Sequence, residues 1–135
     1  MTDYIELHAA SAFSFLQAAS QPESLIERAA ELKMPSMALL DHNGVYGAAR
    51  FYTSAQRKGI RAHIGAEISV SGFGPQLTPP AWLPHRYKGE PARIPLLCES
   101  RLGYQNLCQL ITKFKMREVT KGDGAATFDD LQQFA

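Results

Sequence analysis

The sequence predicts an α/β fold in which parallel strands are connected through helices. Strand-like and helix-like patterns alternate along the 135 residues, in the order β-α-β-α-β-loop-β-α-α. The apolar run at 37–40 is typical of a strand that is buried on both faces, as the strands of a parallel sheet are. Right-handed crossovers through the helices would give either an open sheet or part of a closed barrel.

Four segments have the pattern of strands. Residues 4–8 alternate, so that Ile5 and Leu7 share one face and Glu6 and His8 the other. Residues 37–40 form the second strand. In the third strand the apolar and polar residues point in opposite directions, with Ile64, Ala66, Ile68 and Val70 on one side and His63, Gly65, Glu67 and Ser69 on the other. The fourth strand, 94–98, contains Pro95, which removes a hydrogen-bond donor and favours a strand end or an edge.

Four segments have the spacing of helices. Ser20 and Glu23 match a capping box with Pro22 in the first turn, which predicts a helix over about 21–33. The second helix ends at Lys58 and Gly59, a cation and a capping glycine. The third helix has the clearest apolar stripe, formed by Leu102, Tyr104, Leu107, Leu110, Ile111 and Phe114. Thr127 is predicted to cap a last short helix.

Residues 71–92 are interpreted as an insertion loop, because glycine, proline and polar residues replace any regular pattern there. Trp82 precedes a basic and aromatic group, His85, Arg86, Tyr87 and Lys88. The group is open to two interpretations. It could make a small nucleic-acid contact, or the loop could be solvated, with Trp82 packed against the rest of the domain.

Composition excludes several classes of function. The formal net charge is only +1, so any contact with a polyanion must be local. We interpret Cys98 and Cys108 as reduced core residues, which suits the cytoplasm. The N-terminus resembles no export signal, and no apolar run approaches the ~18 residues of a membrane span. We therefore expect a cytoplasmic protein without a membrane partner.

Polar residues within or directly after three predicted strands indicate a shared cleft. His8 closes the first strand, Asp41 and His42 follow the second, and Glu67 lies in the third beside Gly65. Imidazole and carboxylate groups bind Zn, Mn or Fe and can prepare a bound water to attack phosphate. His8, Asp41, His42 and Glu67 are therefore the candidate metal ligands.

The same residues also have simpler interpretations. His42 could be a turn histidine that bonds loop backbone, and Glu67 could be a buried acid paired with Arg61 or Arg93. No nucleophile turn of the G-x-S-x-G type and no phosphate-binding glycine loop is present. We therefore assign no catalytic and no cofactor-binding residue from the sequence.

Four ordered motifs resemble the PHP (polymerase and histidinol phosphatase) domain, in particular that of bacterial C-family DNA polymerases of the error-prone branch. The motifs lie at 6–16, 38–47, 64–67 and 103–111. The first is similar to a His-x-His-Ser motif followed by an aromatic-Ser pair, the second to an Asp-His motif and the third to a Gly-x-Glu motif. The last resembles the polymerase-specific helix after the fourth strand.

The resemblance implies that residues 1–135 are the N-terminal part of a distorted, TIM-like β/α barrel whose strand ends hold a metal cluster in some members. This chain departs from that ligand pattern, because Ala10 stands for the second histidine of the first motif and Gln17 for a later ligand. The later family ligands have no counterpart. The expected cofactor is therefore none, or a single weakly held divalent metal, Zn or Mn.

The function implied is that of a non-catalytic structural module in an error-prone DNA polymerase. An open half-barrel would expose a parallel edge and an apolar inner face, so the expected partners are the remainder of the polymerase chain or a second copy of this chain. DNA would be reached through the longer protein. The alternatives are a metal-dependent phosphoesterase, either a PHP hydrolase or a proofreading nuclease, completed by oligomerisation, and an inactive remnant.

Overall fold

The computed structural model describes residues 4–72, 91–120 and 124–134. Its helices and strands follow the predicted order: β1 (Glu6–Ala9), α1 (Pro22–Glu31), β2 (Ser36–His42), α2 (Ala48–Lys58), β3 (Arg61–Val70), β4 (Ala92–Leu97), α3 (Arg101–Arg117) and α4 (Phe128–Phe134). Most of the predicted insertion loop, including Trp82 and the basic group after it, lies outside the described residues. Both interpretations of that loop remain predictions.

The strands form one curled, mostly parallel sheet in the order β1-β2-β3-β4. As the sequence predicts, β2 is parallel to both β1 and β3. The last strand differs from the prediction, because β4 runs antiparallel to β3. A parallel neighbour needs a crossover, usually a helix, and 71–92 has no helical pattern, whereas an antiparallel neighbour can follow without one.

The register between β2 and β3 runs without interruption from Ser36 opposite Arg61 to His42 opposite Glu67. Because side chains alternate along a strand, each strand presents one set of residues to the helices and the other set to the opposite side. We call these the outer and the inner face of the sheet. His42 and Glu67 lie on the inner face, while Asp41 lies on the outer face.

Two apolar clusters cover the outer face. One lies under α1 and α2 and contains Ile26, Ala29, Met37, Leu39, Phe51, Ala55 and Ile60. The other lies under α3 and α4 and contains Ala66, Ile68, Val70, Leu107, Leu110, Ile111, Phe114 and Ala126. The predicted helical stripes are therefore largely the buried ones. The exceptions are exposed: Leu32 directly after α1, Tyr52 on α2, and Leu102 and Tyr104 at the start of the α3 stripe.

The capping box predicted from Ser20 and Glu23 does not form. Gln21 is the N-cap residue of α1 and makes no side-chain cap hydrogen bond, and Pro22 occupies the first turn. Ser20 belongs to the preceding loop, where its carbonyl accepts the Ala12 amide at 2.8 Å. The Glu23 carboxylate instead accepts two hydrogen bonds from Arg50 of α2, at 2.6 and 2.8 Å.

The cap predicted for the last helix is present. The Thr127 hydroxyl accepts the amide of Asp130 at 3.3 Å, and the Thr127 amide donates to the Asp130 carboxylate at 2.9 Å. Ala126 joins the start of this segment to the sheet through a bridge to Val70. These bonds fix α4 against the end of β3.

An open half-barrel is expected to expose a strand edge and an apolar inner face. Ile5 and Leu7, at β1, are 39% and 48% exposed, so the edge of the sheet carries accessible apolar side chains. On the inner face, Ala38 and Leu40 are buried, whereas Leu97 of β4 is 47% exposed. Both cysteines are free, and both are half-buried. Across the described ranges, no helix combines the length and the apolar character needed to cross a bilayer.

Gly65 is required by the close approach of β3 and β4. A Cβ at this position would lie 2.0 Å from the Leu96 carbonyl oxygen, a backbone atom that cannot move aside without shifting the strand. We expect Gly65→Ala to lower the free energy of unfolding by about 1–3 kcal/mol, measured by urea denaturation. Gly103→Ala is the matched control, because its Cβ would meet only atoms at 3.7 Å or beyond in a helix. Equal stability of the two variants would contradict this account of the β3–β4 contact.

Candidate functional site

The carboxyl ends of β2 and β3 bring polar side chains together on the inner face. His42 and Glu67 are register partners there, and His8 reaches the same place from β1. His8 Nε2 lies 2.9 Å from Glu67 Oε1. The side chains of His8 and Glu67 are 53% and 21% exposed, so the pair is accessible from solvent.

Arg93 of β4 continues this cluster on the other side of Glu67. Its Nη1 donates to the Gln17 amide oxygen at 2.7 Å and lies 3.4 Å from Glu67 Oε2. The guanidinium thus connects the loop after β1 to β3. It also places a fixed positive charge beside the carboxylate of Glu67.

The amide of Gln17 extends the chain of bonds to His42. Because the Gln17 oxygen accepts from Arg93, the amide nitrogen faces His42 Nδ1, 3.1 Å away, and is the donor there. His42 Nδ1 is then the acceptor, and Nε2 donates to the Ser69 hydroxyl at 3.0 Å. We call the connected side chains the polar network, which consists of His8, Glu67, Arg93, Gln17, His42 and Ser69.

Asn43 locks the turn that follows His42. It has a left-handed backbone, with φ of 50°, which asparagine tolerates better than most residues. Its side chain accepts the Ser69 amide at 2.8 Å and donates to the Ser69 hydroxyl at 3.0 Å. The turn therefore holds the two strand ends, and with them the polar network, in one relative position.

Asp41 has a different role from its neighbour. Its carboxylate is buried and accepts the amide and the hydroxyl of Ser11, at 2.8 and 2.9 Å, and the hydroxyl of Ser14 at 2.9 Å. The Gly47 amide donates to its second oxygen at 3.0 Å. A side chain on residue 47 would come within 2.8 Å of that oxygen, which explains the glycine there. Asp41 thus connects three segments of backbone.

Glu6 lies next to the network and holds the start of β1. Its carboxylate accepts the hydroxyl of Tyr4 at 2.6 Å and the amide of His8 at 2.8 Å. The Tyr4 hydroxyl and the His8 amide hold the pKa of Glu6 below its ordinary value. Glu6 therefore remains charged and fixes the backbone of His8.

The structure brings three of the four candidate ligands to one place. His8, His42 and Glu67 belong to the polar network, whereas Asp41 lies on the outer face with other partners. Within the part of the chain that the structure describes, no three His, Cys, Asp or Glu side chains are grouped so that they could hold a metal ion. The simpler interpretation of Glu67 as an acid paired with Arg93 agrees with the structure. The ring of His42 contacts the side chains of Gln17 and Ser69.

The donor set does not fit a divalent metal in this arrangement. A metal ligand must offer a lone pair, and the lone pair of neutral His42 accepts the Gln17 amide. The oxygens of Glu67 face His8 and the guanidinium of Arg93, whose charge repels a cation. Ala10 supplies no ligand atom. What this arrangement can do is cross-link the loop after β1 to β2, β3 and β4.

Only part of the polar network is recognisable in the sequence. The sequence predicts Arg93 as one possible partner of Glu67, and it shows Gln17 in place of a family ligand. No sequence pattern links Arg93 to Gln17, because the two residues are 76 positions apart. Ser69 shares the polar face of β3 with Glu67, which was the available signal. Its bonds to His42 and Asn43 depend on the turn after β2.

A curled, mostly parallel sheet with polar side chains at its strand ends places the chain among the β/α-barrel proteins. An amidohydrolase from Chromobacterium violaceum, described with bound sulfate and no metal, has a similar fold, with a TM-score of 0.58 and 26% identity over 83% of this chain and 33% of that one. The PHP domain family matches residues 6–134. The chain belongs to the PHP domain family.

Curated relatives of the chain carry the name error-prone DNA polymerase. One from Anaeromyxobacter sp. (strain K) is 44% identical over 110 residues, which are 82% of this chain and 9% of the relative. Another from Mycobacterium tuberculosis (strain ATCC 25618 / H37Rv) is 36% identical over 132 residues, 98% of this chain and 11% of the relative. The chain thus spans about a tenth of the length of these relatives.

Proposed function

We propose that the chain is a non-catalytic structural module, the N-terminal part of the PHP domain of an error-prone bacterial DNA polymerase. The whole protein would carry out DNA-directed DNA synthesis and support damage tolerance and repair. The similarity to polymerases of that name over most of this chain supports the polymerase context. DNA would reach the module through the longer protein.

One observation carries the non-catalytic part of the proposal. Arg93 lies between Gln17 and Glu67, where three of the four candidate metal ligands, His8, His42 and Glu67, are brought together. A guanidinium is always charged and cannot act as a ligand, so it supplies positive charge without the Lewis acidity that hydrolysis needs. The polar network then joins the strand ends by direct hydrogen bonds.

The exposed edge at β1 supports a partner within the same protein. Ile5 and Leu7 present apolar side chains at a strand edge, a surface that folded proteins normally cover. We infer that the remainder of the polymerase chain covers this edge, with a second copy of this chain as the alternative. The free cysteines suit a reducing compartment such as the cytoplasm.

The second candidate is a metal-dependent phosphoesterase, favoured by the shared position of His8, His42 and Glu67. It requires Gln17 and Arg93 to move away and a further copy to supply ligands. A single divalent metal, Zn or Mn, would then be held. Binding of the metal is the property that separates the two candidates.

The test is calorimetric titration of the metal-stripped protein with Zn²⁺ and Mn²⁺, together with thermal unfolding with and without a chelator. We expect no stoichiometric binding of either metal and an unchanged midpoint of thermal unfolding, because the lone pair of His42 already accepts a hydrogen bond from Gln17.

We further expect Arg93→Met to lower the free energy of unfolding by about 1 kcal/mol, since the ion pair of Arg93 with Glu67 is partly exposed.

The controls are His42→Ala and His63→Ala, of which only the first removes a member of the network. His63 lies opposite Ala38, four positions before Glu67 on β3. Tight binding that His42→Ala abolishes and His63→Ala preserves would overturn the structural proposal in favour of the phosphoesterase.

A further inference from the structure

A groove lies between α2 and α3 over the start of β3. It has a volume of about 750 Å³, and small or apolar residues, among them Ala62 and Ile64, form its floor. Both floor residues are only half-buried, because α2 and α3 do not close over this part of the outer face. The groove lies toward the opposite end of β3 from Glu67 and Ser69 and on the other face from the polar network.

The two walls of the groove each present a tyrosine. Tyr52 comes from α2 and Tyr104 from α3, and they are 50% and 38% exposed. Tyr104 lies on the predicted apolar stripe of α3, yet it faces the groove rather than the buried cluster. Aromatic rings on the walls of an open groove provide surfaces on which a planar, unsaturated ring can stack.

The groove is also lined by two arginines, from different elements. Arg61 begins β3 and Arg101 begins α3, and both are exposed. Glu99 is the one acid among the described lining residues, so the local charge is positive in a chain whose formal net charge is +1. Guanidinium groups bind phosphate oxygens through paired hydrogen bonds.

We propose that this groove binds a single-stranded nucleic acid, with a base between the two tyrosines and the backbone phosphate on Arg61 and Arg101. A single strand is favoured over a duplex because its bases can turn their faces to the tyrosines, whereas paired bases stack on one another. The positive lining selects a phosphate-bearing strand over a neutral or acidic peptide. The proposal goes beyond the structural role and does not depend on the polar network.

The experiment is fluorescence anisotropy of a labelled short oligothymidylate titrated with the full chain at low salt. We expect Arg61→Gln/Arg101→Gln to weaken binding about tenfold, since two phosphate contacts are lost. Arg28→Gln/Arg57→Gln removes the same charge from α1 and α2 outside the groove and is expected to leave binding within about twofold. Tyr104→Leu should cost at least about fivefold, and Tyr4→Leu almost nothing.

Three outcomes would overturn the proposal. They are the absence of binding by the unaltered chain, an equal loss in the two double variants, and full competition by a mononucleotide at the same concentration of nucleotide units. Circular dichroism of each variant separates loss of binding from loss of fold. The metal titration decides the structural role independently, so either proposal can fail without the other.

Discussion

Asp41→Ala is expected to lower the free energy of unfolding by about 3–5 kcal/mol, the largest effect of any single substitution considered. The carboxylate is 1% exposed and accepts hydrogen bonds from Ser11, Ser14 and Gly47. Without it, two backbone amides and two hydroxyls remain buried without their acceptor. Urea denaturation followed by circular dichroism measures the loss.

The matched controls for this prediction are Asp41→Asn and Asp129→Ala. Asparagine keeps one acceptor but turns a donor toward donors, so it should be intermediate between wild type and alanine. Asp129 is an exposed acid in the first turn of α4, and its loss should change stability by less than about 0.5 kcal/mol. An Asp41→Ala variant as stable as Asp129→Ala would mean that the hydrogen bonds of Asp41 do not hold the fold.

Asp130→Asn is expected to cost about 2 kcal/mol by weakening the contact between α3 and α4. The carboxylate of Asp130 is buried and accepts hydrogen bonds from Arg117 at 2.8 and 2.7 Å. Lys113 adds an ion pair at 3.1 Å. Leu131 and Phe134 pack beside this cluster of charges against the core, so weakening it should also expose them.

The same group makes stability depend on pH. Burial raises the pKa of Asp130, but hydrogen bonds from Arg117, the Thr127 amide and Lys113 outweigh burial and hold the pKa well below its ordinary value. Because the pKa of Asp130 is lower in the folded state, its charged carboxylate stabilises the fold fully above the unfolded-state pKa of about 3.9. This stabilisation is lost progressively as the pH falls below that value. The difference in stability between wild type and Asp130→Asn should therefore shrink from about pH 5 to about pH 2.

Asp129→Asn is the control for the Asp130 experiment, because it makes the same charge change one position away on an exposed site. Its stability difference from wild type should be small at every pH. If both variants showed the same acid dependence, the cause would be general charge repulsion rather than the ion pairs of Asp130.

The fold followed from the sequence wherever local periodicity coincided with burial. Alternation in β3 and the stripe of α3 identified every residue of the cluster under α3 and α4 except Ala126, because the side that is apolar in sequence is the side that loses water on folding. The direction of β4 did not follow. Strand direction depends on how the chain returns to the sheet, and no periodicity within 94–98 records it.

The start of α1 shows a second limit. Ser20 and Glu23 have the spacing of a capping box, but Arg50, on another helix, binds the carboxylate of Glu23. A local motif predicts only a local partner for Glu23. Whether Glu23 caps α1 or binds Arg50 depends on the contact between α1 and α2, which exists only after the helices pack.

The sequence by itself determined that this chain has a core, where its strands and helices lie, and which polar residues end the strands. Only the tertiary structure decided what those residues contact. Asp41 and His42 are adjacent in the chain, yet strand alternation sends one to a buried set of donors and the other to Gln17 and Ser69. The physical reason is that hydrogen-bond partners of a side chain come from whichever segments the fold brings within about 3 Å, and those segments are distant in sequence.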